Sequence, residues 1–169
     1  MPGLLSSWNS YWMVSGGCVM YEIEVATQPR RAIAAVAWST SWENFPGEWR
    51  SRLDEVYAWL RQAGRHGGCN IMLYRDLPEP RQMAVEVGVE FSDPFEPAGR
   101  VQPSALPAGL AAVTTHRGPY EDLGAAHRAV AEWCAAHDRD LTGERWEVYG
   151  DWQEDPRLLE TQIFYRLAK

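Results

Sequence analysis

The sequence predicts an α+β domain of two βαββ modules related by a pseudo-twofold axis, with an antiparallel sheet, one helix per module and a ligand groove between the modules. The first observation behind this prediction is an internal repeat with an offset of about 75 residues. Three segments recur in the same order: 33–36 (IAAV) as 110–113 (LAAV), 74–76 (YRD) as 149–151 (YGD), and 80–81 (PR) as 156–157 (PR). The second observation is that both halves show the same succession of a strand, a helix and a hairpin.

Each half begins with a strand and continues with an amphipathic helix. The strands are predicted at 31–38 and 109–115, where alternation is weak because alanines occupy both faces. The first helix is predicted over 46–63, with Pro at its start and Gly64 just past its end, as helix termini prefer. Its apolar residues share one helical face: Trp49, Leu53, Val56, Tyr57 and Leu60. The second helix is predicted over 120–137.

A hairpin closes each half. The first pairs 70–74 with 82–91, and the second pairs 146–149 with 159–167. These runs are rich in β-branched and aromatic residues, which favours strands. Proline-containing segments separate the two strands of each pair, which is typical of turns.

The chain divides at a proline-rich stretch. Residues 92–107 are interpreted as a connection between a first module at 21–95 and a second at 105–169. Residues 1–20 are interpreted as a loosely ordered extension without a basic start, so a secretory signal is not expected.

Composition excludes several classes of protein. The 169 residues carry a net charge of −7 and a pI near 5.1, which argues against a surface for nucleic acid or an anionic membrane. Three cysteines without a C-x-x-C pair indicate a reduced, cytoplasmic protein. No apolar run approaches the ~18 residues of a membrane span. No cofactor motif is found, and the zinc spacing of His127, Cys134 and His137 lacks a further ligand, so neither cofactor nor metal is expected.

Polar residues on the second hairpin raise the question of a binding groove. Because strand side chains alternate, the economical assignment places three residues beneath the helix: Trp146, Val148 and Ile163. It leaves four on the face away from the helix: Glu147, Tyr149, Gln162 and Phe164. The repeat adds three from the first half: Met72, Tyr74 and Glu86. Two modules meeting at a dyad would bring these into one aromatic-walled groove, although a sheet with one solvated face gives the same alternation.

Three motifs carry a resemblance to a known family. Residues 115–120 (THRGPY) are similar to the H-x-G-P-Y segment that precedes the second helix of the GyrI-like small-molecule-binding domain. Residues 147–149 (EVY) resemble the E-x-Y strand of that domain. Asp155-Pro156 followed by 161–163 (TQI) resembles its D-P…T-[E/D]-[I/V] ending. The resemblance covers 21–169 and implies two such modules around a groove.

The resemblance also implies site residues. Grooves of this family bind hydrophobic, often cationic or planar aromatic compounds, and the acid of the E-x-Y strand falls at Glu147, with Tyr149 beside it. The second family acid is replaced by Gln162, so a neutral or weakly basic ligand becomes more plausible, although Glu86 could supply charge from the other half. Trp38 and Tyr120 are further candidates for the aromatic wall.

Three functions follow from these observations. The family domain serves multidrug-sensing regulators, but about twenty residues before Tyr21 are too few for a DNA-binding unit, so the chain resembles stand-alone members. The first function is binding of a drug or toxin for sequestration or self-protection. The second is hydrolysis of the cyclopropane ring of DNA-alkylating natural products, with Glu147 as general base and Tyr149 or Tyr74 as donor. The third is a protein-interaction module such as a gyrase inhibitor, as a monomer or homodimer.

Overall fold

The computed structural model describes residues 10–13 and 20–169, which contain nine strands and two α-helices. The strands are β1 (Ser10–Met13), β2 (Met20–Gln28), β3 (Arg31–Ser41), β4 (Asn70–Asp76), β5 (Gln82–Glu90), β6 (Val101–Leu106), β7 (Gly109–Arg117), β8 (Leu141–Tyr149) and β9 (Glu160–Leu167). The helices are α1 (Phe45–Ala63) and α2 (Leu123–Ala136), and short 3₁₀ turns lie at Tyr120–Asp122 and Pro156–Leu158. This α+β composition confirms the predicted fold class.

One antiparallel sheet carries both modules, in the strand order β1-β2-β7-β9-β8-β4-β5-β3-β6. Apart from β1, this order is symmetric, because β2, β7, β9 and β8 mirror β6, β3, β5 and β4. The pseudo-twofold axis therefore passes between β4 and β8, where Met72 pairs with Glu147. The repeat offset predicts the same equivalence between these two residues, so the axis of the fold agrees with the sequence repeat.

Besides β1, two strands of the sheet were not predicted, β2 and β6. β6 forms within the stretch interpreted as a connection, and it pairs with β3, while β2 pairs with β7 of the other module. Pro103 is tolerated in β6 because this strand lies at the edge of the sheet, where every second N–H points away from the neighbouring strand and forms no ladder bond. β2 carries a clear signal, since buried Tyr21 and Ile23 alternate with exposed glutamates.

The extension at 1–20 is only partly described. Its residues 10–13 form β1, which pairs with the start of β2. The prediction of a loosely ordered segment at 1–9 and 14–19 lies outside the described residues.

The helices cover one face of the sheet, called here the helix face. α1 ends at Gly64, whose φ of 63° is the left-handed geometry that favours glycine, as predicted. Val56 and Leu60 of α1 are buried against the sheet. On α2, Ala126, Val130 and Trp133 belong to a core with Ile163 of β9. α1 thus packs on β3, β5 and β6, α2 packs on β2, β7 and β9, and the space between the helices stays open.

The opposite face of the sheet holds a second core shared by both modules. Trp146 stacks on Phe164 there with ring centroids 5.1 Å apart. Ile33 of β3 and Val113 of β7, far apart in the strand order, join the same cluster. The sheet therefore curves around this core. Trp146 and Val148 lie in it and not beneath a helix, so their predicted placement is wrong, whereas Ile163 does lie beneath α2.

Replacing Gly88 with alanine should destabilise the fold. A Cβ at this position of β5 would lie 1.9 Å from the carbonyl oxygen of Ala34, so the backbones must separate. We expect the free energy of unfolding to fall by about 1–3 kcal/mol in urea titrations. Gly47→Ala is the matched control, since its Cβ would meet nothing within 4 Å. Equal unfolding midpoints for the two variants would contradict the close approach.

Candidate functional site

A cavity of about 1440 Å³ opens on the helix face between the two modules. β4 and β8 form its floor, because the axis of pseudo-symmetry runs between them, and the two helices flank it. Both modules contribute to the lining, which includes Met72 and Tyr74 from the first and Tyr120, Glu147 and Tyr149 from the second. These five predicted site residues therefore meet in one cavity.

Aromatic side chains make up much of the cavity wall. The first module supplies Trp42, Phe45, Trp49 and Tyr57, and the second supplies Tyr120, Tyr149, Trp152 and Tyr165. Several of these rings already contact one another. Trp42 lies 5.6 Å from the Tyr74 ring, and Tyr120 lies edge-on to Tyr149 at 5.4 Å. Such a wall suits a flat aromatic ligand, which gains stacking energy in addition to burial.

Glu147 is the buried acid of the cavity floor, with only 4% of its surface exposed. Its Oε2 accepts hydrogen bonds from the hydroxyls of Tyr74, at 3.1 Å, and Tyr149. Its Oε1 lies 2.6 Å from Nε2 of His127. Three donors therefore satisfy a carboxylate that burial would otherwise disfavour, and Oε1 retains one free lone pair.

The tyrosines around Glu147 stay protonated at neutral pH. Burial, followed by the negative charge of Glu147, raises the pKa of Tyr74 and of Tyr149 well above the usual value. Burial also raises the pKa of Tyr165 to about 12, against the opposing effect of Arg145. All three hydroxyls thus keep their protons, and those of Tyr74 and Tyr149 are donated to Glu147.

Arg145 is one of two arginines in the described part of the chain that line the cavity, the other being Arg50. The Arg145 guanidinium lies 5.4 Å from the Trp42 ring centroid and 5.6 Å from that of Tyr74. It forms an ion pair with Asp76 at 2.8 Å. The Asp76 partner offsets its charge, so Arg145 fixes the two rings in place without making this end of the cavity strongly positive.

Three predicted site residues lie on the opposite face of the sheet. Trp146 pairs with Phe164, and Val148 pairs with Gln162, so these partners share the face away from Glu147. Glu86 pairs with Leu73 and forms an ion pair with Arg75 at 2.6 Å. The predicted placement of Gln162, Phe164 and Glu86 in the groove is therefore wrong. Alternation fixes the faces within one strand, but only the register between strands decides which faces coincide.

Trp38 lies on the correct face but does not line the cavity. It packs beneath α1, where its indole N–H donates to Glu48 at 2.9 Å. The Arg52 guanidinium lies over the Trp38 ring, 4.5 Å from its centroid. Trp38 is thus a support for α1, and the predicted contact of this residue with the groove is wrong for the described cavity.

Sequence reasoning missed His127 and Tyr165. His127 Nδ1 lies 2.9 Å from the Tyr165 hydroxyl, and both side chains line the cavity. The signal for His127 was its place on α2, one turn after Leu123, which also lines the cavity. Similarly, the apolar stripe of α1 divides in two, since Trp49 and Leu53 line the cavity while Val56 and Leu60 pack on the sheet.

The histidine and cysteine side chains do not come together as a metal site in the described residues. Among the described residues, no group of three or more His, Cys, Asp or Glu side chains is placed to hold a metal ion. Cys134 lies in the core beneath α2, away from His127 in the cavity, and burial raises the pKa of its thiol to about 11. His116 contacts the Tyr21 hydroxyl at 2.9 Å and the carbonyl oxygen of Pro119 at 3.0 Å, so it orients the segment that leads into α2.

Comparison with known proteins agrees with this architecture. The model of the GyrI-like small-molecule-binding domain matches residues 21–168. The chain belongs to this family. No match is found among curated protein sequences. Within the described residues, neither helix has the length and apolar composition needed to cross a membrane.

Solved structures show the same fold at low identity. The C-terminal domain of EcmrR is 19% identical with a TM-score of 0.71, and the match covers 88% of this chain and 98% of that one. SAV2435, solved with tetraphenylphosphonium, is 13% identical with a TM-score of 0.66, covering 86% and 93%. A hydrolase encoded by lin2189 from Listeria innocua is 11% identical with a TM-score of 0.60, covering 86% and 91%.

Proposed function

We propose that this GyrI-like protein binds hydrophobic, planar aromatic or cationic small molecules in the cavity between its modules. The observation that carries the proposal is a buried carboxylate, Glu147, on the floor of an open aromatic-walled cavity. Burying an acid is costly unless something repays the desolvation. Here Tyr74, Tyr149 and His127 form hydrogen bonds with the carboxylate, which offset its desolvation. Its negative charge is then available to a ligand in the cavity.

The cavity dimensions indicate the ligand class. Its volume of about 1440 Å³ exceeds the ordinary pocket range of about 300–1,000 Å³, so a ligand with several rings fits. Rings stacked between aromatic side chains gain about 0.5–1.5 kcal/mol each beyond burial. A positive charge near Glu147 would gain from both the carboxylate and the ring faces. The tetraphenylphosphonium in SAV2435 is a compound with these properties.

The biological consequence that we propose is sequestration of a drug or toxin, giving resistance or self-protection. We further propose that the protein acts in the cytoplasm, as a monomer or homodimer, without direct contact with nucleic acid. The acidic composition, with a net charge of −7, supports the last point.

Hydrolysis is the second candidate function. The observation that favours it is the chain of contacts from Glu147 through His127 to Tyr165, which can accept and pass on a proton. Glu147 would take a proton from the water that attacks a carbon of the strained ring. The ring bond to that carbon would break with its electron pair moving to a conjugated oxygen, and the Tyr149 hydroxyl would turn from Glu147 to donate to that oxygen. Binding ranks first because Oε2 of Glu147 is already occupied by two tyrosines and only one lone pair of Oε1 is free for water.

One experiment separates the two functions. The protein is incubated with a panel of planar aromatic compounds, including a cyclopropane-bearing alkylator, while Trp fluorescence and ligand mass are followed together. Because Trp42, Trp49 and Trp152 line the cavity, binding should quench fluorescence and return the ligand intact. Quenching with addition of one water to the ligand would establish hydrolysis instead. Absence of quenching by every compound would contradict both functions and favour a protein partner.

A further inference from the structure

His127 lies between an acid and a phenol in the cavity wall. Its Nε2 is 2.6 Å from Oε1 of Glu147, and its Nδ1 is 2.9 Å from the Tyr165 hydroxyl. The side chain is 21% exposed, whereas that of Glu147 is 5% exposed. A titratable imidazole thus has access to solvent and direct contact with the buried acid of the cavity.

The surroundings of His127 suit both of its protonation states. As a neutral ring it donates from Nε2 to Glu147 and accepts at Nδ1 from the Tyr165 hydroxyl. As a cation it donates from both nitrogens, and the Tyr165 oxygen accepts. Tyr165 can serve in either sense because its hydroxyl stays protonated at neutral pH. A proton can therefore enter or leave His127 without breaking either contact.

The other groups near His127 leave the Glu147 charge as the decisive one. His127 faces Glu147 of β8 and Tyr165 of β9. Tyr74 of β4 and Tyr149 of β8 stand behind Glu147 as neutral donors. The charges of Arg145 and Asp76, which also act on Tyr165, are paired with each other. On α2 itself, the neighbouring Arg128 is exposed.

We propose that His127 sets the charge specificity of the cavity. Neutral His127 leaves the negative charge of Glu147 available to a cationic ligand. Protonated His127 forms an ion pair with Glu147 and cancels that charge, so the cavity then accepts neutral aromatic compounds as readily as before but binds cations weakly. The inference rests on the proposed binding function and adds the residue that discriminates between ligand charges.

The direction of the pH dependence follows from linkage. A cation binds the protein with neutral His127 more tightly, so its binding releases a proton, and its Kd falls as pH rises. Binding of a neutral ligand neither takes up nor releases this proton. Its Kd should therefore stay constant over the same range.

The test compares two aromatic phosphorus compounds across pH. Isothermal titration calorimetry gives the Kd of tetraphenylphosphonium, a permanent cation, and of triphenylphosphine oxide, which is neutral, between about pH 5 and pH 8. We expect the phosphonium to bind about tenfold more tightly at the upper end, the size of a screened charge interaction over several ångströms. The phosphine oxide should show a flat profile.

Two histidine variants assign the effect. His127→Gln retains an amide that can donate to Glu147 but cannot titrate, so the phosphonium profile should become flat. His66→Gln is the matched control on the exposed loop after α1 and should keep the wild-type slope. A flat wild-type profile, or an unchanged slope in His127→Gln, would overturn the inference while leaving the binding function intact. Failure of both compounds to bind at any pH would overturn the proposed function and this inference with it.

Discussion

Glu147→Gln should weaken binding of tetraphenylphosphonium by about 10- to 100-fold at pH 8, corresponding to a lost charge interaction of about 1.5–3 kcal/mol. The substitution removes the negative charge of the cavity floor and little else. The glutamine oxygen can still accept from His127, and its amide can donate to the hydroxyl oxygens of Tyr74 or Tyr149. The variant should therefore fold, and its loss of affinity would report charge.

Calorimetric titration with wild type and variant measures this effect, and Glu86→Gln is the matched control. Glu86 undergoes the same chemical change on the opposite face of the sheet, where it pairs with Arg75. The Glu86→Gln variant should bind the phosphonium with the same affinity as wild type. If Glu147→Gln binds as tightly as wild type, or if Glu86→Gln weakens binding equally, the acid of the cavity is not the ligand partner that we propose.

Trp146→Ala should lower the free energy of unfolding by about 3–5 kcal/mol. Trp146 is 1% exposed and stacks on Phe164 in the core that both modules share on the opposite face. Removing the indole leaves a cavity at the centre of that core. The backbones of β8 and β9 cannot shift to fill it, because the hydrogen bonds between the two strands hold them in place. Chemical denaturation followed by far-UV circular dichroism measures the loss.

Trp152→Ala provides the contrast, because Trp152 is 75% exposed and lines the cavity mouth. The unfolding free energy of the Trp152→Ala variant should differ from that of wild type by no more than about 0.5 kcal/mol. Its affinity for aromatic ligands should fall instead, since one stacking surface is removed. A small stability loss in Trp146→Ala, or a large one in Trp152→Ala, would show that the two tryptophans are not divided between core and cavity in this way.

The fold could be predicted because its local signals agree with its repeat. The apolar face of α1, its glycine terminus and the two hairpins each have a strong pattern over their own length. β6 was missed because Pro103 and its neighbours resemble a connection, and proline is acceptable only because the strand lies at a sheet edge. The edge position of β6 depends on the order of all strands in the sheet, so the local sequence does not indicate it.

The site could be predicted only in part, for a reason that concerns register. The positions of Glu147 and Tyr149 follow from alternation within β8 alone. Gln162 and Phe164 depend on how β9 is aligned with β8, and an error of one residue moves a side chain to the other face. His127 was missed because its contact with Glu147 joins α2 to β8 across the fold. No pattern within either element contains that contact.

The position of tetraphenylphosphonium in a crystal structure of its complex with this protein would test the proposed binding site most directly. We expect the cation to lie between α1 and α2, with its positive centre facing Glu147 and aromatic side chains such as Trp42 or Tyr149 within about 6 Å. A cation bound elsewhere on the protein, with the cavity at Glu147 unoccupied, would contradict this expectation.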